Sequence, residues 1–346
     1  MVNRSAPRRT SGQQNAWVSA IRTLGQNSSG MSAASVIVPA RDAGDTVART
    51  LAALAAQQFD DDYEVIVVDD GSRDQTYEIA RAAPGPVTVL RQAPLGPAAA
   101  RNLGVEHAGA PALAFCDADV YPTPRWLSAG LGALAGADIV QGKVLPDPST
   151  PMAPFDRSIW ILAQVGLWET ANLFVRRQLF ETVGGFEEWI TPRHGKALAE
   201  DVWFGWRATR LAATAAYCPE ALAYHAVFAR SCREYVAEHW RRQYFPAMAR
   251  KVPELRRTFL YRRVFLNARS ARFDLALVGL ALAARRRSPL ALAAAVPYLR
   301  ALASGSARAK STGPPSLTVG AADAAADLVG LAAMIYGSAR YRSVVL

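Results

Sequence analysis

The chain has 346 residues, of which 51% are hydrophobic and 20% charged, a composition that excludes a disordered or fibrous protein and allows a large core. Cys116, Cys218 and Cys232 lie far apart with no CxxC pair, so neither a disulfide framework nor a zinc site is expected, and a reducing compartment is. The net charge of +10 is uneven: residues 1–30 hold four arginines and no acid, residues 31–229 hold 15 basic against 23 acidic residues, and residues 230–310 hold 18 basic against 4 acidic.

Residues 1–30 are polar and Gly/Ser-rich without periodicity, which predicts a disordered basic leader, and their lack of a continuous apolar run argues against a secretory signal. From Ser35 the pattern changes. "SVIVP" reads as a buried strand, "GDTVARTLAALAAQQF" as an amphipathic helix, "YEVIVVDD" as a strand and "DQTYEIARAA" as a helix. "GPVTVLRQ", "GPAAARNLGVEHA" and "PALAFCDADV" continue as strand, helix and strand. Apolar runs alternating with helices predict parallel βαβ units in a sheet covered on both faces. Further on, "PRWLSAGLGAL" reads as a helix, "DIVQGKVL" as a strand, "LAEDVWFGWRATRLAAT" as a helix and "AAYCPEALAYHAV" as a strand or strand pair. From Ser231 the chain reads as helical and basic, with Ala/Leu-rich segments at 274–284 and 289–303 and an apolar last segment, 317–337, that carries Asp323 and Asp327.

Two predicted strands end in carboxylates: Asp69 and Asp70 in "VIVVDDGS", and Asp117 and Asp119 in "FCDADV". In an open parallel sheet, ligands bind outside the carboxyl ends of the strands, so both pairs should face one crevice. Asp70-Gly71-Ser72 is equally readable as a turn whose carboxylates cap backbone amides. Asp-Ala-Asp after a buried strand suits a divalent cation, since acids at i and i+2 present hard oxygens together.

These motifs resemble the inverting family 2 glycosyltransferases of GT-A fold, over residues 35–228. "VIVPARDAGDTVARTLAALAAQ", "EVIVVDDGSRDQT", "GPAAARNLG", "ALAFCDADV", "ANLFVRRQLFETVGGFEE" and "EDVWFGWR" stand in the family's order. The resemblance implies an α/β, GT-A (Rossmann-like), mostly parallel sheet flanked by helices, with a C-terminal helical extension. It places Pro39 and Asp42 near the nucleotide base, Asp70 on the base edge with Asp69 holding the turn, and Arg101 on the nucleotide or the acidic cluster. Asp117 and Asp119 would meet the ribose and the metal, Asp119 being the direct ligand. Asp201 matches the family's general base, and Glu200 positions it or contacts the acceptor. His225 stands where some relatives place a histidine near the metal or diphosphate, and a structural histidine is the alternative.

The implied chemistry is consistent with these residue types. Expelling a nucleoside diphosphate builds negative charge, which Mg²⁺ or Mn²⁺ neutralises without proton transfer. An acceptor hydroxyl needs a general base. Glu200-Asp201 also reads as first-turn acids favoured by a helix dipole. His194, in "ITPRHGKALAE", is either a flap residue or an exposed loop histidine. Trp160, Trp168, Trp189, Trp203 and Trp206 crowd into one stretch, where one or two would stack on sugar and the rest would pack.

The expected organisation is therefore a leader at 1–30, a glycosyltransferase domain at 31–229 and a basic helical extension at 230–346. The donor would be a UDP-, GDP- or dTDP-sugar and the acceptor a glycan or lipid-linked acceptor, as in cell envelope polysaccharide. The basic extension attracts polyanions. It carries no nucleic-acid motif, and its arginine-flanked apolar helices suit an anionic membrane surface, so a cytoplasmic protein peripheral to the cytoplasmic face is expected, with a solvated helical appendage as the alternative, and nucleic acid is not. A nucleotidyltransferase would need a glycine-rich basic loop early on, which "VPARDAGD" does not supply; a non-catalytic scaffold would not need Asp70, Asp119 and Asp201 together.

Overall fold

Among the described residues, eight strands form a single sheet whose connections decide where the strand-end carboxylates emerge. The computed structural model describes residues 32–191, 198–287, 289–305 and 317–346; the predicted leader and His194 lie outside them. The strands are β1 (Ala34–Ala40), β2 (Tyr63–Asp69), β3 (Val87–Arg91), β4 (Ala112–Cys116), β5 (Val120–Pro122), β6 (Ile139–Pro146), β7 (Asn172–Arg176) and β8 (Ala215–His225). Their order is β3-β2-β1-β4-β7-β6-β8-β5.

β1 to β4 are mutually parallel, as the alternation predicts, because a helix returns the chain to the same end each time: α1 (Val47–Ala55), α2 (Thr76–Arg81) and α3 (Pro97–His107). Beyond β4 the sheet is mixed, while parallel pairs remain the majority overall. β4 pairs antiparallel with β7, β7 with β6 and β8 with β5, while β6 and β8 run parallel. The physical reason is connection length: three residues separate β4 from β5, too few for a crossover, so the chain leaves β4 and pairs elsewhere.

The core follows from composition. β4 is buried at every position, and the parallel strands read as near-continuous apolar runs because both faces are covered. α1 buries Val47, Leu51 and Leu54 at helical spacing. α3 lies so close to β1 that a Cβ at Gly104 would stand 2.7 Å from Ile37 Cγ2. α4 (Trp126–Leu134), α5 (Arg177–Val183) and α6 (Glu200–Arg210) complete the helical cover. In β8 the pairing with β6 skips from Cys218 to Leu222 opposite the consecutive Gly142 and Lys143, so three residues bulge out.

The chain divides into two compact units: the described residues up to Asp147 with Ile159–Ala226, and Pro148–Ser158 with Val227–Leu346. The second unit is helical. It comprises α7 (Cys232–Glu238), a 3₁₀ turn (His239–Tyr244), α8 (Phe245–Lys251), α9 (Leu255–Thr258), α10 (Ala268–Arg286), a second 3₁₀ turn (Pro289–Ala295), α11 (Val296–Gly305) and α12 (Leu317–Tyr341). Ser231 and Asn267 open α7 and α10 with capping boxes. Within this unit, Arg269 donates to Asp323 at 3.2 Å and to Asp327 at 2.8 Å, and the hydroxyls of Tyr235 and Tyr298 donate to the same two acids. The acids that interrupt the last apolar segment are thus partnered by side chains from three other helices.

Candidate active site

The two carboxylates that end β2 have different partners. Asp69 is wholly buried; its Oδ1 accepts from Ser72 N at 3.3 Å and its Oδ2 ion-pairs with Arg91 Nε at 3.1 Å. It shapes the turn through Gly71, which sits at φ +70° where a non-glycine residue is disfavoured. Asp70 also turns inward. It accepts from Gln92 Nε2 at 2.8 Å, Leu95 N at 2.8 Å and Gly96 N at 3.0 Å, and pairs with Arg41 Nη1 at 3.5 Å. Its carboxylate therefore fastens β2 to the loop that opens α3. Asp42, at φ +50°, donates its backbone N–H to Ser72 Oγ at 3.0 Å and accepts from Arg73 N at 2.9 Å. Pro39, half-buried in β1, lies opposite Val68. The β1 and β2 end loops, which carry two of the predicted donor-binding residues, Asp42 and Asp70, are cross-clasped.

Arg101 joins the second acidic strand end to α6. Only 5% exposed, it donates through Nη2 to Asp117 Oδ1 and through Nη1 to Glu200 Oε1, both at 2.9 Å. Burial alone would lower its pKa, but Asp117 and Glu200 outweigh that effect and the guanidinium is held charged. Asp201 follows in the first turn of α6, where its Oδ1 accepts from Val202 N at 2.7 Å. The turn is set by Ala199 at φ +63°, whose carbonyl accepts from the Trp189 indole at 2.7 Å. The Asp201 carboxyl is pushed well above the usual carboxylate range, first by desolvation and then by Glu200 beside it.

Asp119 and His225 meet through strand register. β5 pairs Val120 with His225, and Ala226 N donates to Asp119 O at 2.9 Å. His225 Nε2 then lies 3.4 Å from Asp119 Oδ2. His225 Nδ1 is 2.6 Å from the Ala226 carbonyl, which only accepts, so Nδ1 donates; burial lowers the ring's pKa but Asp119 beside Nε2 outweighs it, and loss of the Nε2 proton is what would free a lone pair there. The structure thus parts the Asp-Ala-Asp pair: Asp117 ion-pairs with Arg101, and Asp119 faces His225. Among the described residues, no group of three or more His, Cys, Asp or Glu side chains gathers as a metal cage. A carboxylate oxygen and a carbonyl-oriented imidazole nitrogen are nevertheless donors that fit Mn²⁺ or Mg²⁺ when phosphate oxygens complete the shell.

Two acids escaped the sequence reading. Burial pushes Glu169 up to about 7, and its charge contributes to raising Asp201. Glu188 is raised by desolvation, then by Glu200 and Asp70. The available signal was an acid inside the apolar run "VGLWETANLF", which a motif search passes over. Of the five crowded tryptophans, Trp168 and Trp206 are buried, Trp189 and Trp203 are half-buried, and Trp160 is 56% exposed. Trp160 precedes Ile161, whose backbone exchanges hydrogen bonds of 3.1 and 2.9 Å with Val144 near the end of β6.

Residues 35–167 match the family described as Glycosyl transferase family 2. The glycosyltransferase AglE of Haloferax volcanii is 34% identical over 167 residues, 44% of this chain and 55% of that protein. A chondroitin synthase of Escherichia coli is 36% identical over 110 residues, 31% of this chain and 16% of that protein. The match therefore spans about half or less of these relatives' length. Among solved structures, the mannosyltransferase PcManGT from Pyrobaculum calidifontis, in complex with GDP-Man and Mn2+, aligns with a TM-score of 0.53 at 19% identity, over 96% of this chain and 95% of that one. At that identity the likeness speaks for the fold.

Proposed function

The chain carries a family 2 glycosyltransferase domain of GT-A fold, and on that premise we propose that it transfers a sugar from a nucleotide-sugar to a glycan or lipid-linked acceptor with inversion. The observation that carries this reading is the Arg101 clamp, which gathers the β4-end Asp117 and the α6 acids Glu200 and Asp201 into one cluster.

In this reading Asp201 is the general base. A carboxylate raised above its ordinary range by burial is a better proton acceptor near neutrality, at the cost of being partly protonated there. It takes the proton of the acceptor hydroxyl as that oxygen attacks the anomeric carbon from the face opposite the leaving diphosphate. Arg101 keeps Glu200 and Asp117 fixed, so neither drifts into the path of the acceptor. The cross-clasped loops around Asp42 and Asp70 form the nucleotide pocket for a UDP-, GDP- or dTDP-sugar. Mg²⁺ or Mn²⁺ held by Asp119 and His225 would neutralise charge on the leaving diphosphate without moving a proton. Trp160, the one member of its cluster with most of its surface in solvent, offers a flat face to an acceptor sugar. Residues 31–229 form the catalytic part in this reading. The basic extension from 230 keeps the protein peripheral to the anionic cytoplasmic face of a membrane.

Asp201→Asn tests the base. It preserves size and most hydrogen bonding but accepts no proton. Thermal-shift screening of UDP-, GDP- and dTDP-sugars with and without Mn²⁺ first identifies the donor, since ligands of the native state raise its stability. Turnover should then fall by roughly 10²–10⁴-fold with donor affinity little changed. Near-normal turnover would move the base elsewhere, to Glu200 first.

A further inference from the structure

We propose that the hairpin of α10, the turn Pro289–Ala295 and α11 is the surface that docks on an anionic lipid bilayer, lying along its headgroup region while α12 stays in the protein. The proposal deepens the peripheral-membrane part of the proposed function and rests on it.

The hairpin has two unlike sides. On its inner side, Phe273 and Ala276 of α10 pack with Tyr298 of α11 in a small buried cluster that also takes Leu331 of α12. On the outer side, Leu275, Val278 and Leu282 follow one another at i, i+3 and i+7, a single helical stripe, and are 49%, 55% and 41% exposed. Beyond the helix the apolar surface continues through Leu290, which is 84% exposed, and through Val296 and Leu299 on α11. With Leu280 and Leu292, eight large aliphatic side chains along one supersecondary element are exposed, and none of them belongs to the inner cluster. An apolar patch of this continuity marks an interaction surface.

The charge around the patch selects the occupant. The same helical spacing that sets the stripe places exposed Arg272 one turn before Leu275 and exposed Arg285 and Arg286 just after Leu282, with exposed Arg287 next. Across residues 268–305 there are six arginines and one acid, Asp274. A second copy docking through a two-fold axis would set arginine row against arginine row, which like-charge repulsion disfavours. An anionic bilayer offers apolar chains beneath negative headgroups, which suits both the stripe and its arginine ends.

The helix long enough to cross the bilayer is not this one. Among the described residues, Thr318–Tyr341 alone is long and apolar enough to span. Asp323 and Asp327 lie within it, bound to Arg269, Tyr235 and Tyr298. Inserting α12 would strip those carboxylates of their partners in hydrocarbon, where charged groups are expensive. The hairpin pays no such penalty, because its exposed polar groups sit at the ends of the stripe and reach headgroups.

The test uses the full-length chain and vesicles. The wild-type protein should cosediment with mixed phosphatidylcholine–phosphatidylglycerol vesicles, bind pure phosphatidylcholine weakly, and come off in high salt. The triple variant Leu275→Glu, Val278→Glu, Leu282→Glu should lose binding in low salt. Arg285→Ala, Arg286→Ala, Arg287→Ala should weaken it on the order of 100-fold, at about 1 kcal/mol per arginine near the surface. All six side chains are exposed, so circular dichroism and the melting temperature should not move, and donor turnover in the absence of lipid should be unchanged. If wild-type protein binds and the leucine variant binds equally, the hairpin is not the surface and the peripheral reading survives. If wild-type protein binds no vesicles, both fall, while the Asp201 result stands apart. Resistance to carbonate extraction, or a dimer in light scattering that the leucine variant dissolves without any vesicle binding, also overturns the proposal.

Discussion

Asp201 sits where function and stability pull in opposite directions. Its folded pKa is raised, so the native state binds its proton more tightly than the unfolded chain does. Stability from this group is therefore present below the unfolded carboxylate pKa and declines as pH rises toward the raised folded value. At neutral pH Asp201→Asn should consequently melt no lower, and somewhat higher, than wild type even as turnover collapses; a lower melting temperature would mean that the ionised carboxylate holds the turn. Glu169 gives a second, independent outcome. When ionised it raises Asp201, so Glu169→Gln should shift the acid limb of the kcat/KM profile to lower pH. An unmoved limb would show that the two carboxyls do not communicate. At this scale the acids of the motifs were legible because they stand in strings of their own kind. Their partners were not: Asp70 meets Gly96 and Gln92, more than 20 positions away, and Glu169 is one acid in an apolar run.

Helices and strands put these side chains in register, and α3 shows how. It delivers Arg101 to the cluster and ends against Arg177, which donates to the carbonyls of Ala110 at 2.7 Å, Ala108 at 2.7 Å and Val105 at 3.4 Å. Arg176, its neighbour, does the same for the end of α4 through Ala137, Leu134 and Ala135. Two consecutive arginines at the β7–α5 junction thus satisfy carbonyls at the ends of two helices. Arg177→Ala should cost about 2–3 kcal/mol, the usual cost of unpairing partly buried acceptors of charged bonds, seen as a fall in Tm. Donor affinity should weaken with it, since α3 carries Arg101; an unchanged Tm would show that water replaces the guanidinium. Local pattern foretold β1 to β4 and the helices between them, because apolar period and turn residues are local, but it assigned neither β7 nor α5. The three-residue β5 and its pairing with β8 were not legible, since that contact joins residues about 100 positions apart.

The whole chain carries its charge in blocks, yet its units do not follow the blocks simply. Pro148–Ser158 belongs to the helical unit although it lies inside the stretch that continues the sheet. Within that unit, Phe155 packs its ring against Tyr235 at a tilt of 39°, its carbonyl accepts from Arg230 Nε at 2.7 Å, and Arg157 exchanges backbone hydrogen bonds with Phe228. No local signal in the sequence announces such a return. Truncation after residue 226 should therefore leave donor binding in place, since the residues assigned to the donor all precede it, but strip Pro148–Ser158 of Phe228, Arg230 and Tyr235. Limited proteolysis should then cut the truncated protein within 148–158 and spare the full chain there. Equal resistance of the two would show that the segment is held from elsewhere.

The bulge in β8 makes the strand tolerant of length changes on one side and intolerant on the other. Pro219 and Glu220, looped out between Cys218 and Leu222, are exposed, and proline is at home where a ladder is interrupted. An extra residue between them enlarges slack that already exists and leaves His225 opposite Val120. An extra residue between Leu222 and His225 has no slack to enter; the two-residue repeat of the strand turns the imidazole to the other face and brings Tyr224 in its place. Insertions at the two sites, three or four positions apart, should thus separate cleanly in Mn²⁺-dependent donor binding: retained in the first, lost in the second.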